Sequence, residues 1–211
     1  MSSVSRLLAA IAGVGLALGI AQTSHAAVIF EDNFETETYA TNTTLDFWTV
    51  SDGTVDVVGT GFFPGLCNPA SGSSPSPAHC VDMDGSNQNA GKITSSGFSF
   101  TPGSYTLTFF AAGNQRSTPS DTMTISIGSN FMGAILMNPF DPWTQFVVPF
   151  DVAVANTASI VFNHDGGDNI GILIDNITLS SVEAVPAPGS LLLIGIALAG
   201  LGFRRRDRTA H

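Results

Sequence analysis

Apolar and polar residues alternate through the middle of the chain. Tyr105, Leu107, Phe109 and Ala111 share one face, with Thr106 and Thr108 opposite. Met123, Ile125 and Ile127 alternate with Thr122, Thr124 and Ser126, and Ile177 and Leu179 with Asn176, Thr178 and Ser180. Phe146, Val148 and Phe150 repeat the pattern, as do Ala158, Ile160 and Phe162. A period of two belongs to half-buried strands, and no long stretch shows the helical period of 3.6. Further strands are expected at 47–51, 54–58, 79–84 and 93–100. Turn residues separate the runs at Ser51-Asp52-Gly53, Thr101-Pro102-Gly103, Ala112-Gly113-Asn114, Gly128-Ser129-Asn130, Asn138-Pro139 and Asp165-Gly166-Gly167-Asp168. About ten short strands at this spacing predict an all-β fold, a single β-sandwich of jelly-roll type. No internal repeat interrupts it.

Both ends break the pattern. Arg6 precedes the apolar run Leu7–Ile20, and Ser24-His25-Ala26 supplies the small residues of a cleavage site. Residues 1–26 therefore read as a secretory signal peptide, cut between Ala26 and Ala27. At the other end Ser190–Phe203 is apolar and uncharged, followed by Arg204, Arg205, Arg206 and Arg208. A helix of that length reaches roughly 21 Å at ~1.5 Å per residue. That is short for a ~30 Å hydrocarbon core and suits a transient transmembrane helix better than a permanent anchor. The arginines favour a cytoplasmic C-terminus.

Val185-Pro186-Ala187-Pro188, the apolar tail and the arginine cluster together resemble the PEP-CTERM sorting signal of Gram-negative bacteria, with Ala187 where the usual form has Glu. The resemblance implies processing by an exosortase near Pro186–Pro188. It further implies an inner-membrane intermediate, then a place at the cell surface or in an exopolysaccharide matrix. The expected domains are 1–26 signal, 27–184 β-sandwich ectodomain and 185–211 sorting signal.

Removing both ends changes the charge. The whole chain carries 17 acidic and 7 basic residues. Between Ala27 and Val185 only Lys92 and Arg116 remain against sixteen acids, a net −14. Such a surface repels nucleic acid and attracts cations. The two cysteines, Cys67 and Cys80, enter an oxidising compartment, where a disulfide is expected. Free thiols, or a metal site shared with His79, are the alternatives.

The first candidate chemistry is calcium. Asp175 falls in phase with Leu173, Ile177 and Leu179, and a core-side carboxylate needs a partner. Few bases are available, and calcium takes 6–8 oxygens. First and last strands are often neighbours, so Glu35, with Glu31 or Asp32, is expected to share the ion with Asp175. The alternative is that Asp175 accepts backbone amides at a bulge. Phe30-x-x-x-Phe34-Glu35 together with Ile174-Asp175-Asn176-Ile177-x-Leu179 is similar to the galactose-binding-like β-sandwich. So are the stretches Gly166–Gly171, Val81–Ser86 and Ala112–Arg116. The resemblance implies a structural calcium near Glu35 and Asp175 and, more weakly, carbohydrate binding.

Sugar sites pair an aromatic face with polar groups. The candidates are Trp48, Trp143 and Tyr39, with Asn114, Gln115 and Arg116 in a loop; Arg116 has Asp121 as an alternative partner. Catalysis has little support. There is no Gly-x-Ser-x-Gly and no His-Glu-x-x-His, and His79 and His164 sit outside any nucleophile pattern. Asp82 and Asp84 share a strand face at a spacing that can serve glycoside hydrolysis, but carboxylates are common in this chain. The expected protein is a non-catalytic, exported β-sandwich associated with polysaccharide. A structural matrix protein without a glycan site is the runner-up, and a glycan-degrading enzyme the third reading.

Overall fold

A computed structural model describes residues 26–67, 78–116 and 119–182. The strands are β1 (Ala26–Asp32), β2 (Ala40–Thr43), β3 (Trp48–Ser51), β4 (Val55–Gly59), β5 (His79–Asp82), β6 (Lys92–Ser95) and β7 (Phe98–Phe100). After them come β8 (Gly103–Ala112), β9 (Asp121–Ile127), β10 (Phe131–Met137), β11 (Thr144–Val152), β12 (Asn156–Ala158), β13 (Ile160–Asp165) and β14 (Leu173–Val182). All of these strands pair antiparallel. One sheet runs β11-β8-β14-β5-β4-β2, with β1 also on β14; the second runs β10-β9-β13-β6-β3. A small β12-β7 ribbon completes the set.

The alternation read from the sequence fills the space between the sheets. Leu107 and Phe109 on β8 meet Met123, Ile125 and Ile127 on β9 and Phe162 on β13 in one buried cluster. The Phe109 and Phe162 rings touch edge-on across the sandwich, 5.0 Å between centroids. Each such side chain contributes roughly 1.5–3 kcal/mol by leaving water. A second cluster lies elsewhere: Val58, Leu66, Cys67, Cys80, Ala112, Trp143 and Leu173 pack together. Val57 and Val81 belong to the main core, while their neighbours Val58 and Cys80 belong to this second cluster. The seven-stranded sheet is therefore buried on both faces at β4 and β5, with Leu66 and Cys67 part of the second cover. The two sulfurs are bonded.

The structure has more strands than the sequence suggests. The stretch 93–100 divides into β6 and β7, and 157–163 spans β12 and β13. Alternation does not mark β1, β2 or β10. β10 is Phe-Met-Gly-Ala-Ile-Leu-Met, apolar on both sides, so it carries no polar period. β2 is four residues of Ala, Thr and Asn. Ala26, the last residue of the expected signal, opens β1 opposite Val182.

One irregularity matters for function. β14 is bordered on one side by β8 along its length. On its other side Leu173 and Ile174 pair with β5, whereas Ile177–Val182 pair with β1. Asp175 and Asn176 fall in the gap where one neighbour replaces the other. There the register against β8 slips, and Asn176 takes a left-handed φ of 47°. Such a bulge is a common way to re-aim a side chain. It corrects the predicted phase. Ile174, Ile177 and Leu179 face the main core, whereas Leu173 packs in the disulfide cluster. Alternation puts Asp175 on the side of Leu173.

Candidate functional site: a notch at Asp175 and a groove over Phe47

Asp175 is fully buried. Its Oδ1 accepts the N–H of Asn176 at 2.6 Å, and its Oδ2 has no hydrogen-bond partner. Burial pushes its pKa up to about 8; the Asn176 amide opposes this, and the charges of Glu35 and Asp32 reinforce it. Glu35 is half-buried, and its Oε1 accepts the N–H of His79 at 3.1 Å. His79 stacks on Tyr39, 4.1 Å between ring centroids. This holds Glu35 at the start of β5, beside the gap in β14.

The predicted calcium set thus divides. Asp32, Glu35 and Asp175 are brought within electrostatic range of one another. Asp32, however, already uses both oxygens: Oδ1 accepts Phe34 N–H at 2.9 Å and Oδ2 accepts Trp48 Nε1–H at 2.7 Å. Glu31 lines a separate, solvent-facing groove. Among the described residues no group of three or more His, Cys, Asp or Glu is placed to hold a metal ion. What remains for a hard cation is narrower: one buried carboxylate oxygen without a donor, Asp175 Oδ2.

The groove holds about 270 Å³ and is lined by Glu31, Asp32, Asn33, Thr36, Phe47, Asn176, Ile177 and Thr178. Phe47 is 55% exposed, while Trp48 next to it is 4% exposed. Phe47 leans edge-on against Phe30, with centroids 6.3 Å apart. Asn176 therefore serves two places: its backbone N–H caps Asp175, and the residue lines the groove.

The other predicted ligand residues are packed or bonded within the fold. Trp48 packs edge-on against Phe162 at 5.9 Å. Trp143 is also buried at 4%, packed in the disulfide cluster, so neither indole offers a stacking face. Asn114 is fully buried and donates to Asp121 at 3.1 Å, while accepting the Arg116 N–H at 2.9 Å. Arg116 forms an ion pair with Asp82, not with Asp121. Asp82 also accepts the amides of Asp84 and Gly171, and Asp84 those of Gly167 and Asp168. His164 accepts the Ile172 N–H at 3.1 Å. Together Asp82, Asp84 and His164 fasten the 165–172 loop, which is work for the fold. Burial raises Asp82 to about 7 against the pull of Arg116.

The sorting tail from Val185 lies outside the described residues, as does the signal segment before Ala26. The tail does match a family model. Residues 184–206 are a PEP-CTERM protein-sorting motif. The match spans the predicted Val185, Pro186, Pro188, Arg204, Arg205 and Arg206. A PEP-CTERM signal directs a protein to export and the cell surface. No curated protein matches the sequence. Among solved structures, the chain resembles the C-terminal CBM6 of a marine laminarinase from Zobellia galactanivorans at 13% identity and TM-score 0.44, covering 72% of this chain and 98% of that one. It also resembles the CBM22-1 xylan-binding domain from Paenibacillus barcinonensis at 14% identity and TM-score 0.46, covering 78% and 100%. A third is the K3 adhesin domain of Lys-gingipain from Porphyromonas gingivalis, at 19% identity and TM-score 0.44, covering 74% and 99%.

Proposed function

We propose that this PEP-CTERM protein is a non-catalytic, exported β-sandwich that binds polysaccharide at the cell surface through the groove over Phe47. The observation that carries the reading is the exposed Phe47 ring set among Asn33, Thr36, Asn176 and Thr178. An aromatic plane takes the C–H face of a sugar, and amide and hydroxyl groups around it take the hydroxyls. An exosortase processes the tail, and the exported domain joins the exopolysaccharide outside.

A structural calcium belongs to the same reading. Asp175 and Glu35 would hold it, and the ion would supply the positive charge that the buried Asp175 Oδ2 lacks. Bound there, it would fix the Asp175–Asn176 bulge and with it one wall of the groove.

The test is binding of the purified full chain to xylan, a soluble β-glucan, chitosan and polygalacturonate, each with calcium and with chelator. Saturable binding to at least one polymer, weakened about tenfold or more by Phe47→Ala, is expected; that factor corresponds to about 1.4 kcal/mol. No binding across the panel, or binding indifferent to Phe47→Ala, refutes the groove. A structural matrix role then takes its place.

A further inference from the structure

Resting on that reading of the groove, we propose that it selects polysaccharide chains carrying protonated amines over neutral chains and uronates. Two features argue for it. Glu31 is an exposed acidic residue that lines the same groove as the open Phe47 ring. Its backbone pairs with Thr178, which lines the same groove. A carboxylate next to an aromatic face suits an ammonium group. The ring quadrupole attracts the cation and the carboxylate pairs with it.

The second feature is the distribution of positive charge. A uronate needs a base to receive it, and the exported domain has two, Lys92 and Arg116. Both are committed, to Asp52 and Asp82, and neither lines the groove. Asp32, behind the groove, adds a further negative charge. An acidic polymer would therefore meet two carboxylates and no counter-charge. An amine-bearing polymer meets Glu31 and Phe47 together.

Two oligomers with one backbone isolate the effect: the chitosan hexamer, with free amines, and the chitin hexamer, with the amines acetylated. Binding to the full chain is measured by calorimetry at mildly acidic pH with calcium held constant. The chitosan hexamer is expected to bind about tenfold tighter at about 0.05 M salt, the combined scale of an exposed cation–π contact and a rim ion pair. The preference shrinks at about 1 M salt, where the screening length is roughly 3 Å. Glu31→Gln is expected to remove most of it. Asp165→Asn removes one charge from β13 in the other sheet and is expected to preserve it. Equal binding of the two hexamers, or of neither, overturns the selectivity. So does an equal loss from Glu31→Gln and Asp165→Asn, which would mark a general field of the acidic surface. If Phe47→Ala leaves oligomer binding intact, the groove reading itself has failed.

Discussion

Replacing Asp175 with asparagine tests the notch directly. Ionised, Asp175 places a charge in a buried site where one oxygen has no donor. Its folded pKa of about 8 lies far above the 3.8 of a free aspartate. Between those values the folded protein holds a proton that the unfolded chain has released. Stability from this group is therefore complete at about pH 4 and below, and falls as pH rises toward 8. At pH 7 the loss is about 4 kcal/mol, from ~1.36 kcal/mol per pH unit over roughly three units. The asparagine side chain keeps an oxygen for the Asn176 amide and has no proton to lose. In chelator at pH 7, Asp175→Asn should raise stability by up to about 4 kcal/mol. At roughly 2–4 °C per kcal/mol, that is about 8–16 °C in Tm. The gain should vanish near pH 4. Calcium should narrow the gap, because an ion that binds only the folded wild type stabilises by about 2.7 kcal/mol at a hundred times its Kd. The assay is thermal melting of both proteins from pH 4 to 8, with calcium and with chelator. A variant that melts below wild type in chelator at pH 7 refutes the buried-charge argument. An equal calcium shift in both proteins refutes the ion at Asp175.

Three further outcomes follow from the same physics. Arg116→Met removes the ion partner of the buried Asp82 and should cost about 3 kcal/mol at pH 8 but less near pH 5, where Asp82 is protonated; a pH series of urea melts checks this. Trp48→Phe should cost about 1–3 kcal/mol in the same assay, because Asp32 Oδ2 loses its donor in a buried place. Reducing and alkylating Cys67 and Cys80 reopens a loop of roughly 14 residues and should cost about 3 kcal/mol, read as a fall in Tm.

The sandwich was legible because its central strands announce themselves. β8 and β9 alternate residue by residue, and their inward sets are the ones that meet in the core. Strands were missed where alternation carries no information. β10 is apolar on both sides, with Met132 and Leu136 facing solvent at the edge of its sheet. The disulfide was legible from two cysteines and an export signal, but not the cluster it builds. Trp143 has the sequence setting of a surface residue at a strand start; it is buried in one cluster with Leu66, Cys67 and Cys80. No local pattern encodes a cover supplied by a distant segment.

The site shows where strict periodicity fails as a guide. Neighbouring aromatics such as Phe47 and Trp48 tend to point to opposite faces of the chain, so one of the two was always a candidate for exposure. The sequence alone does not say which, because the choice depends on Asp32 offering Trp48 a buried acceptor. The same carboxylate is thus lost to calcium and committed to orienting the indole, which leaves Phe47 open to the groove. Counting in twos through Asn176 assigns Asp175 to the core, and a single left-handed residue undoes the count. That residue marks the place where β14 exchanges β5 for β1, an exchange set by pairings far apart in sequence. The notch and the groove are therefore products of topology. The sequence supplies the acids and the aromatic ring, and the break in strand pairing puts the buried carboxyl and the open ring on either side of one asparagine.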